Sequence, residues 1–290
     1  MNSSSIKNFL IVLLVAVNLY LLFSLTGANP SNHELSSESL ENYEDALKSK
    51  GIYVEAEQIP SEKYFNSIIA VNCSVQNRLS AAKQYLGNIL AEYSLPNGIT
   101  FQSEDAYISF FDDGKFEYGL SKHYDSSTFS WNSPAASSFS PITKENRKII
   151  ERTFSQLISY SNNYNKFSFR ELGQTENDDC VTIYVELLTY GLPVHDGLIT
   201  FIIQDSKPVY IFGKYLFDSF NEEFTGEYID APSALFLVEN AISVEDIHMI
   251  YYPVMTDSDN YFLIPSWKII SSDGSSFIFD GVSGYKRTQY

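Results

Sequence analysis

The run from Phe9 to Leu25 constrains this chain more than any other feature. It reads Phe-Leu-Ile-Val-Leu-Leu-Val-Ala-Val-Asn-Leu-Tyr-Leu-Leu-Phe-Ser-Leu, without a charge and with only Asn18 and Ser24 as polar breaks. At about 1.5 Å of rise per residue, a helix from Ile6 to Leu25 spans roughly the 30 Å hydrocarbon core of a bilayer. A cleaved signal peptide has a shorter apolar core, about 7–15 residues, and a small-residue cleavage site, for which Thr26-Gly27-Ala28 is the candidate. The length of the run and its single preceding base, Lys7, favour an uncleaved anchor. Glu34, Glu38, Glu41, Glu44 and Asp45 follow the run, so the positive side predicts a cytoplasmic amino terminus (residues 1–5) and an extracytoplasmic bulk. Asn18, with Leu14 and Leu21, is the candidate contact with a partner helix in the membrane, because an amide in hydrocarbon gains from an interhelical hydrogen bond. The alternative is a single tolerated amide in a span rich in Leu and Val.

Beyond the anchor the composition is that of a folded, acidic protein. The 290 residues carry 36 Asp and Glu against 19 Lys and Arg, a net charge of -17, together with 21 Tyr and 21 Phe. Such a surface repels nucleic acid, and a nucleic-acid role is excluded. The aromatic content exceeds that of disordered chains. Cys73 and Cys180 each sit in a strand-like run, which favours two separate buried thiols over a disulfide, although the location would permit one.

The pattern after residue 25 predicts a connection over 26–34 and two α+β units. The first, 35–122, has a helix from Ser36 to Lys50 ended by Gly51, and strands Ile52 to Ala56 and Tyr64 to Cys73. A helix from Arg78 to Tyr93 follows, then a hairpin of Ala106 to Phe111 and Lys115 to Leu120 around Asp112-Asp113-Gly114. Residues 123–142, rich in Ser, Asn and Pro, read as a linker. The second unit, 143–290, opens with a helix from Thr143 to Tyr160. Strands Cys180 to Tyr190, Leu198 to Gln204 and Pro208 to Phe217 follow, then a helix from Ala231 to Ile242 and strands Met249 to Met255, Tyr261 to Ile270 and Phe277 to Phe279. Strands joined by short turns make the sheets antiparallel and the class α+β.

No catalytic set emerges. His33, His123, His195 and His248 have no metal-ligand spacing, and His195-Asp196 lacks a nucleophile elbow and reads as a turn. Asp257-Ser258-Asp259-Asn260 lacks the glycine and distal glutamate of a calcium loop and reads as a hairpin turn. Glu222-Glu223, Glu227 and Asp230 read as a solvated loop rather than a paired-carboxylate site. The expectation is a protein that is not an enzyme, with no cofactor and no metal.

The order of anchor, helix, Lys50-Gly51-Ile52-Tyr53-Val54 and then Ile59-Pro60 resembles the YycH/YycI membrane-anchored regulatory proteins of Gram-positive bacteria, the YycI branch by length. The tail, Ile264-Pro265-Ser266-Trp267-Lys268-Ile269 with Phe277-Ile278-Phe279-Asp280-Gly281-Val282-Ser283-Gly284, resembles the closing strands of PepSY-type modules. There Gly281 stands for the usual alanine and Ser283 for the threonine. The resemblance implies a modulator of a sensor histidine kinase that controls cell-wall metabolism. It would associate with the kinase, and with a related YycH-type protein, through transmembrane helices and two PepSY-like extracytoplasmic domains. The alternative it implies is a module that restrains an extracytoplasmic peptidase or wall hydrolase.

Overall fold

The computed structural model describes residues 35–61, 67–72, 74–120, 139–158, 166–177, 179–214, 219–224, 228–256 and 260–287. Helix α1 (Ser37–Ser49) leads into strand β1 (Ile52–Tyr53), strand β2 (Ile68–Asn72) and helix α2 (Val75–Leu86). Strands β3 (Ala91–Leu95), β4 (Gly98–Gln102), β5 (Ala106–Phe111) and β6 (Lys115–Leu120) come next, then helix α3 (Lys144–Ile158). Strands β7 (Phe167–Asn177), β8 (Cys180–Thr189), β9 (Leu192–Gln204), β10 (Lys207–Lys214) and β11 (Ser219–Phe224) precede helix α4 (Ala231–Phe236). The chain closes with β12 (Ile242–Met255), β13 (Asn260–Ser271), β14 (Ser276–Asp280) and β15 (Lys286–Arg287).

These fifteen strands form one mixed sheet system. One arm is antiparallel throughout, in the order β7-β8-β9-β10-β6-β5-β4-β3. The other runs β11-β2-β13-β12. On one edge of β13, β2 pairs with residues 260–263 and β14 with residues 266–270. β12 carries two parallel partners, β1 at Ile52 opposite Ile242 and β9 at Val194 opposite Tyr251.

This arrangement corrects the expected fold class. Two separate antiparallel domains of PepSY type are not formed. β1 and β2, from the expected first unit, are built into the sheet of the second, and β6 pairs with β10. The cause is edge pairing: β2 and β6 carry apolar faces and a row of backbone donors and acceptors, and a distant strand satisfies both. The local pairing of Trp267 opposite Phe279 does occur. Among the described residues no helix is long and apolar enough to cross a membrane, and the Ile6 to Leu25 segment lies outside them. So does most of the expected linker.

Several boundaries differ for local reasons. Gly87, at φ +76°, ends α2, so residues 91–93, expected as the end of the helix, belong instead to the exposed edge strand Ala91–Leu95. α4 covers only the first six residues of the expected helix, because Ile242 and Val244 alternate with polar residues and join β12. β7 and β11 add strands where none was expected, and Glu222 and Glu223 lie in β11 rather than in a loop. Helices α2 and α3 cover one face of the antiparallel arm over Phe101, Ile108, Phe116, Phe201 and Ile211, all buried. Helices α1 and α4 cover the face of β12–β14 that carries Met249, Trp267 and Phe279.

Candidate functional site

The segment nearest the expected anchor is bonded firmly into the sheet. α1 is capped by Ser36, whose hydroxyl accepts from the Ser39 N–H at 3.2 Å. Its apolar side is anchored by Leu47, fully buried, with Leu40 packed alongside. Tyr43 meets the Phe236 ring of α4 edge-on, with centroids 6.5 Å apart. The Lys50 ammonium donates to the Phe236 carbonyl, and the Glu44 carboxylate accepts from the Ala56 N–H at 3.0 Å.

Gly51 then adopts φ +88°, and a Cβ there would lie 3.1 Å from the Ala241 Cβ. Both conditions favour glycine. Its carbonyl accepts from the Ile242 N–H at 3.1 Å, which starts the parallel pairing of β1 with β12. Ile52, Val54 and Ile59 are buried in the same cluster as Trp267. The stretch Lys50 to Ile59, on which the family resemblance rests, is therefore the seam between α1 and the sheet.

A second feature lies where the two arms meet. The pairs Glu186–Leu198 and Leu188–Pro193 leave Val194, His195, Asp196 and Gly197 opposite the single residue Leu187. This four-residue bulge reaches β12, and Asp196 takes φ +56° within it. A Cβ on Gly197 would lie 2.8 Å from the Val194 carbonyl oxygen, so the bulge closes only around glycine. His195 thus sits in a strand and not in the turn that the sequence predicts; the turn is Tyr190-Gly191, both at positive φ.

The bulge lines a groove of about 190 Å³ with His248 and Lys268, which face each other across β12 and β13. The His195 ring is 9 % exposed and stacks on Tyr252 at 5.1 Å. Its Nε2 is 3.8 Å from the Asp196 carboxylate, too far for a hydrogen bond, and Lys214 reaches Asp196 at 3.4 Å. His248 Nδ1 meets the Asp246 carboxylate at 2.7 Å. These are two separate His–Asp contacts on a sheet surface. Among the described residues no group of three or more His, Cys, Asp or Glu side chains converges as a metal site.

Burial pushes the His195 imidazole below its ordinary value of 6.5, and Lys268 and Lys214 act in the same direction, partly opposed by Asp196. The folded state therefore binds its proton less readily than the unfolded chain. Stability from this group is complete above about pH 6.5 and is lost as pH falls through the lower folded value. Urea unfolding at about pH 7.5 and about pH 5.5 should show a loss on acidification that is smaller in His195→Gln. An identical loss in both proteins would remove His195 as its source.

The residues expected to touch a partner in the membrane, Asn18, Leu14 and Leu21, lie outside the described residues, as do His33, His123, Cys73 and the 257–259 loop. Thr256 bonds back to Asn260 across that loop, closing the β12–β13 hairpin. Cys180 is a half-buried free thiol. Asp230 caps α4, accepting from the Ser233 N–H at 2.9 Å. The sequence gives no sign that His195 and His248 share a groove, because strand register alone joins them.

No family model matches the chain, and no curated protein matches it. Among solved structures it is similar to an uncharacterized protein from Eubacterium rectale, with a TM-score of 0.47 and 12 % identity. That match covers 86 % of this chain and 99 % of the other.

Proposed function

We propose that this chain is a non-catalytic, membrane-anchored regulatory protein that modulates a sensor histidine kinase controlling cell-wall metabolism. The observation that carries the reading is the seam at Lys50 to Ile59. α1 begins twelve residues after the apolar run ends at Leu25; β1 joins it to β12 of the sheet, Lys50 bonds it to α4, and Glu44 bonds it to Ala56 beyond β1. A displacement of a membrane-proximal helix held in this way shifts the sheet with it instead of being absorbed at a free joint. The Phe9 to Leu25 run supplies attachment and proximity to the kinase helices, and the outer body supplies the preference for one signalling state. Any regulation then equals the difference in contact free energy between the two kinase states.

Crosslinking in intact membranes tests this, using the full chain and a version lacking Met1 to Leu25. A sensor kinase should be recovered with the full chain and lost with the truncated one. Replacing Phe9 to Leu25 by an unrelated apolar span should abolish or strongly reduce control of kinase output while leaving the protein in the membrane. Unchanged control would remove the helix contact from the mechanism. Recovery of a soluble hydrolase by both forms would overturn the kinase reading and favour an inhibitory module.

A further inference from the structure

A cleft of about 650 Å³, far in the chain from the α1 seam, lies where α2 and α3 meet the antiparallel arm. Its composition departs from that of the whole molecule. The chain has 36 acidic residues, yet among the described residues no aspartate or glutamate lines the cleft. Two cations do: Arg152 on α3 and Lys207 at the start of β10. Among the described residues neither has an ion-pair partner. Beside the rim, the Glu145 carboxylate accepts from the Ser206 hydroxyl at 3.3 Å. In a protein of net charge -17, two cations at one concave site that have no ion-pair partner among the described residues are a feature suited to an anionic ligand.

The interior adds shape and hydrogen bonding. Tyr85 of α2 and Tyr118 of β6 meet edge-to-face, with centroids 4.8 Å apart, and form an aromatic wall. Burial raises both phenols above their ordinary value, so both remain protonated and able to donate. Ile149 extends the apolar surface, and Gln156 adds an amide from the next turns of α3. A ring-faced wall beside hydroxyls, an amide and two cations matches a pyranose, which is apolar on its faces and polar at its edge, when it also bears a negative charge.

We infer that this cleft is a binding site for an acidic saccharide, with Arg152 and Lys207 holding the carboxylate and the Tyr85–Tyr118 wall holding the ring. The inference rests on the cleft alone and stands whether or not the protein regulates a kinase.

Glucuronate is the probe, with glucose as its uncharged counterpart, each titrated to about 50 mM against the full chain and followed by ligand-observed NMR at fixed ionic strength. Glucuronate should bind and glucose should bind at least about tenfold more weakly. Arg152→Gln and Lys207→Gln should each weaken glucuronate binding about tenfold, the loss expected for one charge-assisted hydrogen bond. Both side chains are exposed at the rim, and an unchanged far-UV CD spectrum will show that the variants fold. Lys148→Gln, an exposed cation on the same helix outside the cleft, should bind like the parent protein. Absence of glucuronate binding, equal binding of glucose, or an equal loss in Lys148→Gln would each overturn the assignment.

Discussion

Trp267→Ala should be the most destabilising single truncation among the described residues, at about 3–5 kcal/mol. The indole is 1 % exposed on the α1 and α4 side of β13, and its direct cross-strand neighbours, Met249 and Phe279, are each 2 % exposed. Neither neighbour can move into the space without leaving its own strand, so the cavity stays open. The indole N–H also donates to the Ile229 carbonyl at 2.8 Å, tying the segment before α4 to the sheet. Trp267→Phe separates the two contributions. It keeps most of the packing and loses the hydrogen bond, for an expected cost of about 1–3 kcal/mol. Urea unfolding at neutral pH, followed by far-UV CD, will measure both. Equal and small losses would show that the ring does not hold α1 and α4 to the sheet.

Asp280→Ala should follow closely, at about 3–5 kcal/mol, because it strands a guanidinium. Asp280 is 5 % exposed, and its Oδ1 accepts from the Val282 and Ser283 N–H groups at 2.8 and 3.0 Å. Its Oδ2 pairs with Arg287 on β15, so one carboxylate closes the turn and fixes the returning strand. Asp280→Asn retains the turn acceptor and loses the ion pair, and should cost less than the alanine. A second readout is Tyr228, whose phenol is pushed up to about 12 by burial and then by the Asp280 charge. Between its ordinary value of 10 and about 12 the folded chain keeps a proton that the unfolded chain releases. Stability from this phenol is complete below pH 10 and falls as pH rises through that range. Asp280→Ala should narrow the range, which an ultraviolet phenolate titration will detect.

The same turn explains why glycine stands at position 281. A Cβ at Gly281 would lie 2.7 Å from the Pro265 carbonyl oxygen, so alanine does not fit this backbone. Local chemistry of that kind was legible in the sequence. Ala106–Phe111 and Lys115–Leu120 alternate around Asp112-Asp113-Gly114, and they form the expected hairpin with the expected bounds. The helix at Ser36 was legible from its cap and apolar stripe, and the one at Thr143 from its apolar stripe. Ala91–Leu95 was not, because it is an edge strand whose Tyr93 is 52 % exposed and so lacks the alternation of a half-buried strand. The single sheet was illegible for a deeper reason: no local pattern records that Val71 lies opposite Tyr261 or Ile52 opposite Ile242. The His195 groove fails for the same reason, since it depends on a bulge in β9 and on the register of β12 and β13. The seam at Lys50 to Ile59 was only half legible. Gly51 announces a helix end, but not the strand to which that end is bonded.

The position of β2 sets the order in which this chain completes itself during synthesis. Ile68–Asn72 is sandwiched between β11 and β13, whose pairing residues begin at Ser219 and Asn260. As the chain leaves the ribosome or a translocation pore amino end first, this apolar strand emerges about 150 residues before either neighbour exists. Throughout that interval it exposes two unpaired edges and a β-prone sequence, the conditions that recruit wrong partners. Contacts so distant in sequence form slowly even once both ends are present. The amino-terminal part of the described body therefore matures last, and a chaperone that shields extended segments is the helper its biogenesis calls for.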